Sequence, residues 1–251
     1  MVELNRANLD KARNYLLLIA ICVLIGIGIG AANARRAPFD LLPTMMRGVR
    51  TTIELTLAAS ALAFVVSMIA GLSKLSRIWW VRFITNSYVE IFRGTSVLVQ
   101  LFWIFFVLPR LPLNIRITAF QAGVLALGLN IGAYGAEVVR GAVQAVPRGQ
   151  YEAAIALNMS PALRMRRVIL PQAMVRMLPP FGNLLIELLK ATSLVSLITL
   201  SDVTFQALTL RQSVGRSSEL FIMLLLIYFV IAYPLTLAVR WLEGRIQWVN
   251  A

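Results

Sequence analysis

The sequence contains no histidine, a single cysteine (Cys22), and only 11 acidic residues among 251. Without histidine, the side chain that most readily moves protons near neutral pH and binds zinc is missing. One cysteine, itself inside an apolar run, excludes internal disulfides and thiolate metal clusters. The carboxylates are scattered along the chain, so acid–base catalysis and metal binding have little to work with, and no metal site is expected.

What is abundant is apolar surface. Hydrophobic residues make up 59% of the chain, against roughly 45–50% in soluble domains, which marks a polytopic membrane protein. The 24 Lys and Arg residues give a formal net charge of +13. They cluster between apolar runs, so the positive-inside rule accounts for them and nucleic acid is not an expected partner. The first run, 15–34, has about the ~20 residues that span a bilayer. Its Gly26 to Gly30 GIGIG is not a dinucleotide fingerprint, because no strand precedes it. Two readings remain for this run: a signal peptide, suggested by the A-x-A pattern at Ala32 to Ala34, or an uncleaved helix, which its length favours.

Five further spans are expected, near 49–72, 83–108, 117–143, 173–200 and 219–242. The predicted fold is therefore an all-α membrane protein of about six transmembrane helices. With the N-terminus inside, the inner segments carry fifteen Lys or Arg and the outer ones eight, which puts both termini in the cytoplasm. Residues 35–50 run against this, with four arginines on the outer side.

Charges at membrane depth need partners. Glu90 and Arg93, Glu137 and Arg140, and Glu187 and Lys190 each stand three residues apart on one helix face. Each reads as a self-neutralised pair whose basic member reaches towards water. Glu187 lies deeper, beside Thr192, Ser193 and Ser196, where a place on a solute route is an equal alternative. Glu54 has no local partner in sequence and reads as interfacial or pore-lining. Asn130 with Tyr134, and Ser96 with Gln100, read either as hydrogen-bonding glue between helices or as solute contacts. The Gly128, Gly132, Gly135 spacing suits close helix packing.

The most informative stretch is 150–171, QYEAAIALNMSPALRMRRVILP, a polar and basic island between apolar runs. Its spacing predicts a short helix with Glu152 in the first turn and a stop at Asn158, which tolerates left-handed backbone. A second helix then starts with Ser160 as cap and Pro161 as its first residue, carrying Arg164, Arg166 and Arg167. Such an element suits a docking surface just outside the bilayer.

This island resembles the EAA motif of ABC-transporter permease subunits: Glu152-Ala153-Ala154 matches, and Leu170-Pro171 falls at the right distance. Asn158 stands where the motif has Gly, and Val168 where it has Ile. YVEIFRGTSVLVQLFW at 88–103, GAYGAEVVRGAVQAVPRGQYEAA at 132–154 and LLKATSLVSLITLSDV at 188–203 narrow the resemblance to permeases of the polar amino-acid uptake group, the histidine/glutamine/arginine type. It covers about 47–245 and leaves 1–46 as an extension bearing the extra helix.

The resemblance implies a five-helix type I importer core in 47–251, with a cytoplasmic coupling loop at 144–171. It implies a bacterial inner-membrane subunit working with a cytoplasmic ATPase subunit, a second permease subunit and an extracytoplasmic solute-binding protein. Glu152, Ala153, Ala154, Asn158 and Arg164 would couple to the ATPase. Asn130, Tyr134, Gln100, Glu187, Thr192, Ser193 and Ser196 would flank the solute route. With no Walker A sequence here, ATP and Mg would belong to the partner, and this chain would be no enzyme and carry no cofactor of its own. The basic residues after the coupling helix would meet acidic ATPase groups or lipid phosphates. The expected solute is a polar amino acid or a related zwitterion. A self-contained secondary transporter or channel is the alternative; an intramembrane enzyme and a membrane scaffold fit less of the pattern.

Overall fold

A backbone in hydrocarbon must satisfy its own N–H and C=O groups, and a helix does so within one segment. The computed structural model describes residues 41–112 and 116–249, and every regular element among them is helical. In chain order these are α1 (Leu42–Ser73), α2 (Trp79–Gly94) and α3 (Val97–Phe102), the last prolonged by a π turn (Trp103–Val107) and a 3-10 turn (Leu108–Arg110). After α4 (Ala119–Gln144) come the short α5 (Arg148–Ala156) and α6 (Pro161–Arg164), a π turn (Met165–Ile169), and α7 (Leu170–Ala191) with a 3-10 extension (Thr192–Ile198). The chain closes with α8 (Val203–Val214) and α9 (Ser217–Val249).

Among the described residues, four stretches are long and apolar enough to cross a membrane: Leu42–Ser73, Ala119–Gln144, Pro161–Ile198 and Ser217–Trp241. The span expected at 83–108 is not one helix. It is broken after Gly94, and Trp79–Gly94 meets Val97–Arg110 at a bend of 106°. Thr95 and Ser96 both adopt extended backbone there. The break is tolerated because side chains take over the carbonyls it orphans: Gln100 Nε2 donates to Phe92 O at 2.8 Å, and Thr95 Oγ1 donates to Ile91 O at 2.7 Å. Taking the bent pair as one span gives up to five among the described residues. The sixth expected helix, at 15–34, lies outside them, and with it the signal-peptide alternative.

The chain forms two compact units. In the larger, which includes 52–200, α4 is the central element and packs against α2, α3 and α7. Leu55, Ala59, Leu101, Ala122, Ala126, Leu127, Ile131 and Leu188 build its main apolar core. The glycine stripe of α4 allows close approach to α1, as its spacing suggested. A Cβ at Gly135 would fall 2.0 Å from Ser67 Oγ, and one at Gly132 2.9 Å from Val66 Cγ1. Ser67 Oγ uses that proximity to donate to Gly132 O at 3.2 Å.

The smaller unit includes 201–231 and has its own core of Met45, Val203, Ala207, Leu220, Met223 and Ile227. Asp202 is fully buried and caps α8, its Oδ1 accepting from Phe205 N at 2.8 Å and its Oδ2 from Tyr228 Oη at 3.2 Å. Burial holds its carboxyl above the usual Asp range, and these hydrogen bonds only partly oppose that.

Candidate functional site

The island between α4 and α7 folds as its sequence suggests, with two adjustments. Helix α5 begins at Arg148, directly after Pro147, so Glu152 lies beyond the first turn rather than within it. Asn158 has φ 55°, the left-handed value that ends the helix. Ser160 Oγ accepts from Leu163 N at 3.4 Å, and Pro161 opens α6. The second helix does not stand apart: it widens into the π turn at Met165–Ile169 and continues as the next span. Pro171 brings no N–H for the carbonyl of Arg167, and the ladder changes register where that donor is missing.

The base of this loop is fixed. Tyr151 Oη donates to Val143 O at 3.1 Å, and Arg176 Nη1 to Ala145 O at 2.5 Å, which satisfies carbonyls at the end of α4. Gln172 Nε2 donates to Gln150 Oε1 at 3.1 Å. Below them Val139, Val143, Val146, Ile169, Ala173 and Met177 form a buried apolar cluster. The outer surface is the opposite. Ala154 is buried, whereas Glu152, Ala153 and Asn158 are exposed, with Ile155 and Leu157 at 57% and 76% exposure. Arg164 is half-buried, and Arg166 and Arg167 are exposed. The result is a hydrogen-bonded base carrying an exposed apolar tip, one acidic residue and a basic flank.

Within the spans, the expected ion pairs rearrange. Glu137 does pair with Arg140, Oε2 to Nε at 2.8 Å. It also accepts from Lys74 at the end of α1, and Arg93 Nη1 of α2 lies 3.9 Å from its Oε1. Glu90 and Arg93 therefore do not neutralise each other. Arg93 turns to Glu137 and lies over the Tyr134 ring, 5.2 Å from its centroid, while Glu90 has no ion pair among the described residues. Glu187 and Lys190 are both exposed and likewise make no ion pair among the described residues. The reason is distance in sequence. Lys74 and Glu137 meet only after α1 packs on α4, and no local spacing announces that.

The residues expected on the solute route separate into groups. Asn130 is buried and donates to Phe92 O at 3.0 Å and to Gln100 Oε1 at 3.1 Å, so it and Gln100 together tie down the broken end of α2. Tyr134 is half-buried beneath Arg93. Thr192, Ser193 and Ser196 each spend their hydroxyl on a carbonyl three residues back, at 2.7, 2.9 and 2.8 Å. Glu187 is exposed on α7, and Glu54 is exposed on α1.

Residues 63–248 match the family described as the binding-protein-dependent transport system inner membrane component. The probable amino-acid ABC transporter permease protein y4tF of Sinorhizobium fredii is 49% identical over 211 residues, covering 82% of this chain and 89% of that protein. The glutamine transport system permease protein GlnP of Escherichia coli K12 is 34% identical, covering 84% of this chain and 96% of that protein. A crystal structure of an amino acid ABC transporter with histidines superposes with a TM-score of 0.76 at 37% identity, covering 82% of this chain and 95% of that one. Matched over 63–248, a helical chain with up to five spans among its described residues thus belongs to the binding-protein-dependent transport system inner membrane components, the membrane-embedded permease subunits of ABC importers.

Proposed function

We propose that this permease imports polar amino acids or related zwitterions across a bacterial inner membrane, with the 144–171 loop coupling it to a separate ATPase subunit. The observation that carries the coupling role is the contrast within that loop. Its base is fixed by Tyr151, Arg176 and buried apolar residues, while Glu152, Ala153, Ile155 and Leu157 stand exposed on a rigid outer face. An exposed apolar tip on a rigid stem is a partner surface rather than a solvated loop. Force applied to it passes directly into α4 and α7, which lie at the centre of the larger unit.

In this reading 47–251 is the permease domain and 1–46 an extension. Both termini and the loop face the cytoplasm, as the distribution of basic residues favours. ATP and Mg bind on the partner, and this subunit performs no covalent chemistry. A second permease subunit completes the pathway, and an extracytoplasmic binding protein delivers the solute. Closure of the ATPase pair moves two coupling loops together and rocks the spans between inward- and outward-facing packings. Glu152, Ala153, Ala154 and Asn158 form or shape the contact, and Arg164 braces the following turn. The solute route runs beside the break in α2, near Tyr134, with Asn130 and Gln100 holding its shape; Glu187, Thr192, Ser193 and Ser196 of the α7 segment flank it. The amino-acid assignment is supported by relatives with 34% and 49% identity that carry amino-acid permease names.

The test is solute-stimulated ATP hydrolysis by the reconstituted complex, comparing wild type with Glu152→Arg. Loss of stimulation with assembly intact is expected. Unchanged hydrolysis and transport would remove the coupling assignment.

A further inference from the structure

We propose that the polar face of α2 next to its break reads the two charged ends of the solute, Glu90 holding an ammonium group and Arg93 a carboxylate. The inference rests on the permease reading above and makes it specific: the ligand class is a zwitterion bearing both groups.

Helix α2 presents three faces. Thr85 and Val89 are buried against the rest of the unit. Trp79, Trp80, Phe83, Ile84 and Ile91 form an exposed apolar face, each more than half exposed. Between these lies a stripe of Arg82, Asn86, Glu90 and Arg93, spaced four, four and three residues, which keeps them in line on a helix. Exposed charges on a span do not face hydrocarbon; they face water, a partner or a ligand.

The two central charges are available. Glu90 is exposed and has no hydrogen bond or ion pair among the described residues. Arg93 is 44% exposed and only 3.9 Å from a carboxylate that Lys74 and Arg140 engage more closely. Its guanidinium, with five donors, lies over the Tyr134 ring and keeps most of them unspent. Residues three apart on a helix stand about 5–6 Å apart, a span that the adjacent ammonium and carboxylate of an α-amino acid bridge from both sides.

Space and unwound backbone coincide with these charges. A Cβ on Gly94 would meet nothing within 4 Å, and Thr95 and Ser96 are extended and exposed. A helix broken inside a span is where transporters place solute sites. Here Gln100 and Asn130 hold the break in shape from behind, at 2.8 and 3.0 Å from Phe92 O.

The test uses the full complex with Cys22 replaced by Ser, carrying either Gly94→Cys, in open space beside both charges, or, as a control on the apolar face, Ile84→Cys. A membrane-impermeant cationic methanethiosulfonate should label the first and spare the second. A mixture of common α-amino acids should slow labelling at position 94, while butylamine and butyrate, each with one charged end, should not. In uptake assays Glu90→Gln should raise KM about tenfold or more, the loss of one charge-assisted contact, and affect KM more than kcat. A Gly94→Cys variant inert to the reagent would overturn the proposal and mean that a second copy of the chain covers this face. Labelling without protection, with KM unchanged, would overturn it by showing a wetted but unread surface. Failure of the wild-type complex to take up any amino acid with ATP would instead remove the substrate reading on which the site rests, whatever the labelling showed.

Discussion

Glu137 ties α4 to the end of α1 through its carboxylate, with Arg93 of α2 further off, so Glu137→Ala is the most informative single perturbation of the fold. The three cations around it are not equivalent. Lys74 is 12% exposed, Arg140 37% and Arg93 44%. Arg140 and Arg93 can turn towards solvent, and exposed pairs contribute only about 0–1 kcal/mol each. Lys74 cannot rehydrate without moving the end of α1. Stranding a buried cation costs about 3–5 kcal/mol when burial is complete; with Glu137 itself 22% exposed, a loss of about 2–3 kcal/mol is the reasonable discount. At about 2–4 °C per kcal/mol for a chain of this size, the melting temperature should fall by about 4–12 °C. The assay is thermal unfolding of the purified complex in detergent, run as a cycle with Lys74→Met. The double variant Lys74→Met/Glu137→Ala should lose less than the sum of the two single losses, because it leaves no buried charge unpaired. A shift under about 1 °C for Glu137→Ala, or strict additivity in the cycle, would refute the claim that Lys74 and Glu137 form the dominant contact.

Three further outcomes are expected. At Asn158, held at φ 55°, substitution by Val should cost about 1–2 kcal/mol while Gly is tolerated, read as thermal stability and as ATPase stimulation by solute. On α4, Gly135→Ala should destabilise by about 1–3 kcal/mol, because its Cβ would meet Ser67, whereas Gly141→Ala, with nothing within 4 Å, should stay within about 0.5 kcal/mol. For Asp202, burial raises the folded-state pKa above the unfolded value, so the folded state favours the protonated form. The resulting cost is absent below the unfolded pKa, appears as pH rises towards the folded pKa, and is complete above it. Stability of the wild type measured by thermal unfolding should therefore decline across that window as pH rises, and Asp202→Asn should flatten the profile; an identical profile in both would remove Asp202 as its source.

Much of the architecture was legible because membrane solvation leaves so few options. Runs of about twenty apolar residues must become helices, and four such stretches did so close to their expected places. The turn inside the 144–171 loop was equally readable, because its punctuation is local: Asn158, Ser160 and Pro161 act on their own backbone, and the observed φ of 55° and the Ser160 cap follow from residue chemistry alone. The glycine stripe on α4 announced close packing for the same reason.

Three things only the tertiary structure decided. The break in α2–α3 lies in a run, 83–108, that reads as one span; it depends on Gln100 and on Asn130, thirty residues further along, reaching Phe92 O. Glu137 keeps Arg140, the partner that sequence spacing offered, and gains Lys74 at the end of α1, with Arg93 of α2 nearby. Glu90, which looked self-neutralised by a neighbour three residues away, is left unpaired among the described residues because Arg93 finds Tyr134 and Glu137 across the helix interface. Local chemistry thus determined where helices start, stop and turn, since those forces act within a few residues. Which charges meet was settled by packing, because a side chain chooses its partner only after the helices have chosen theirs.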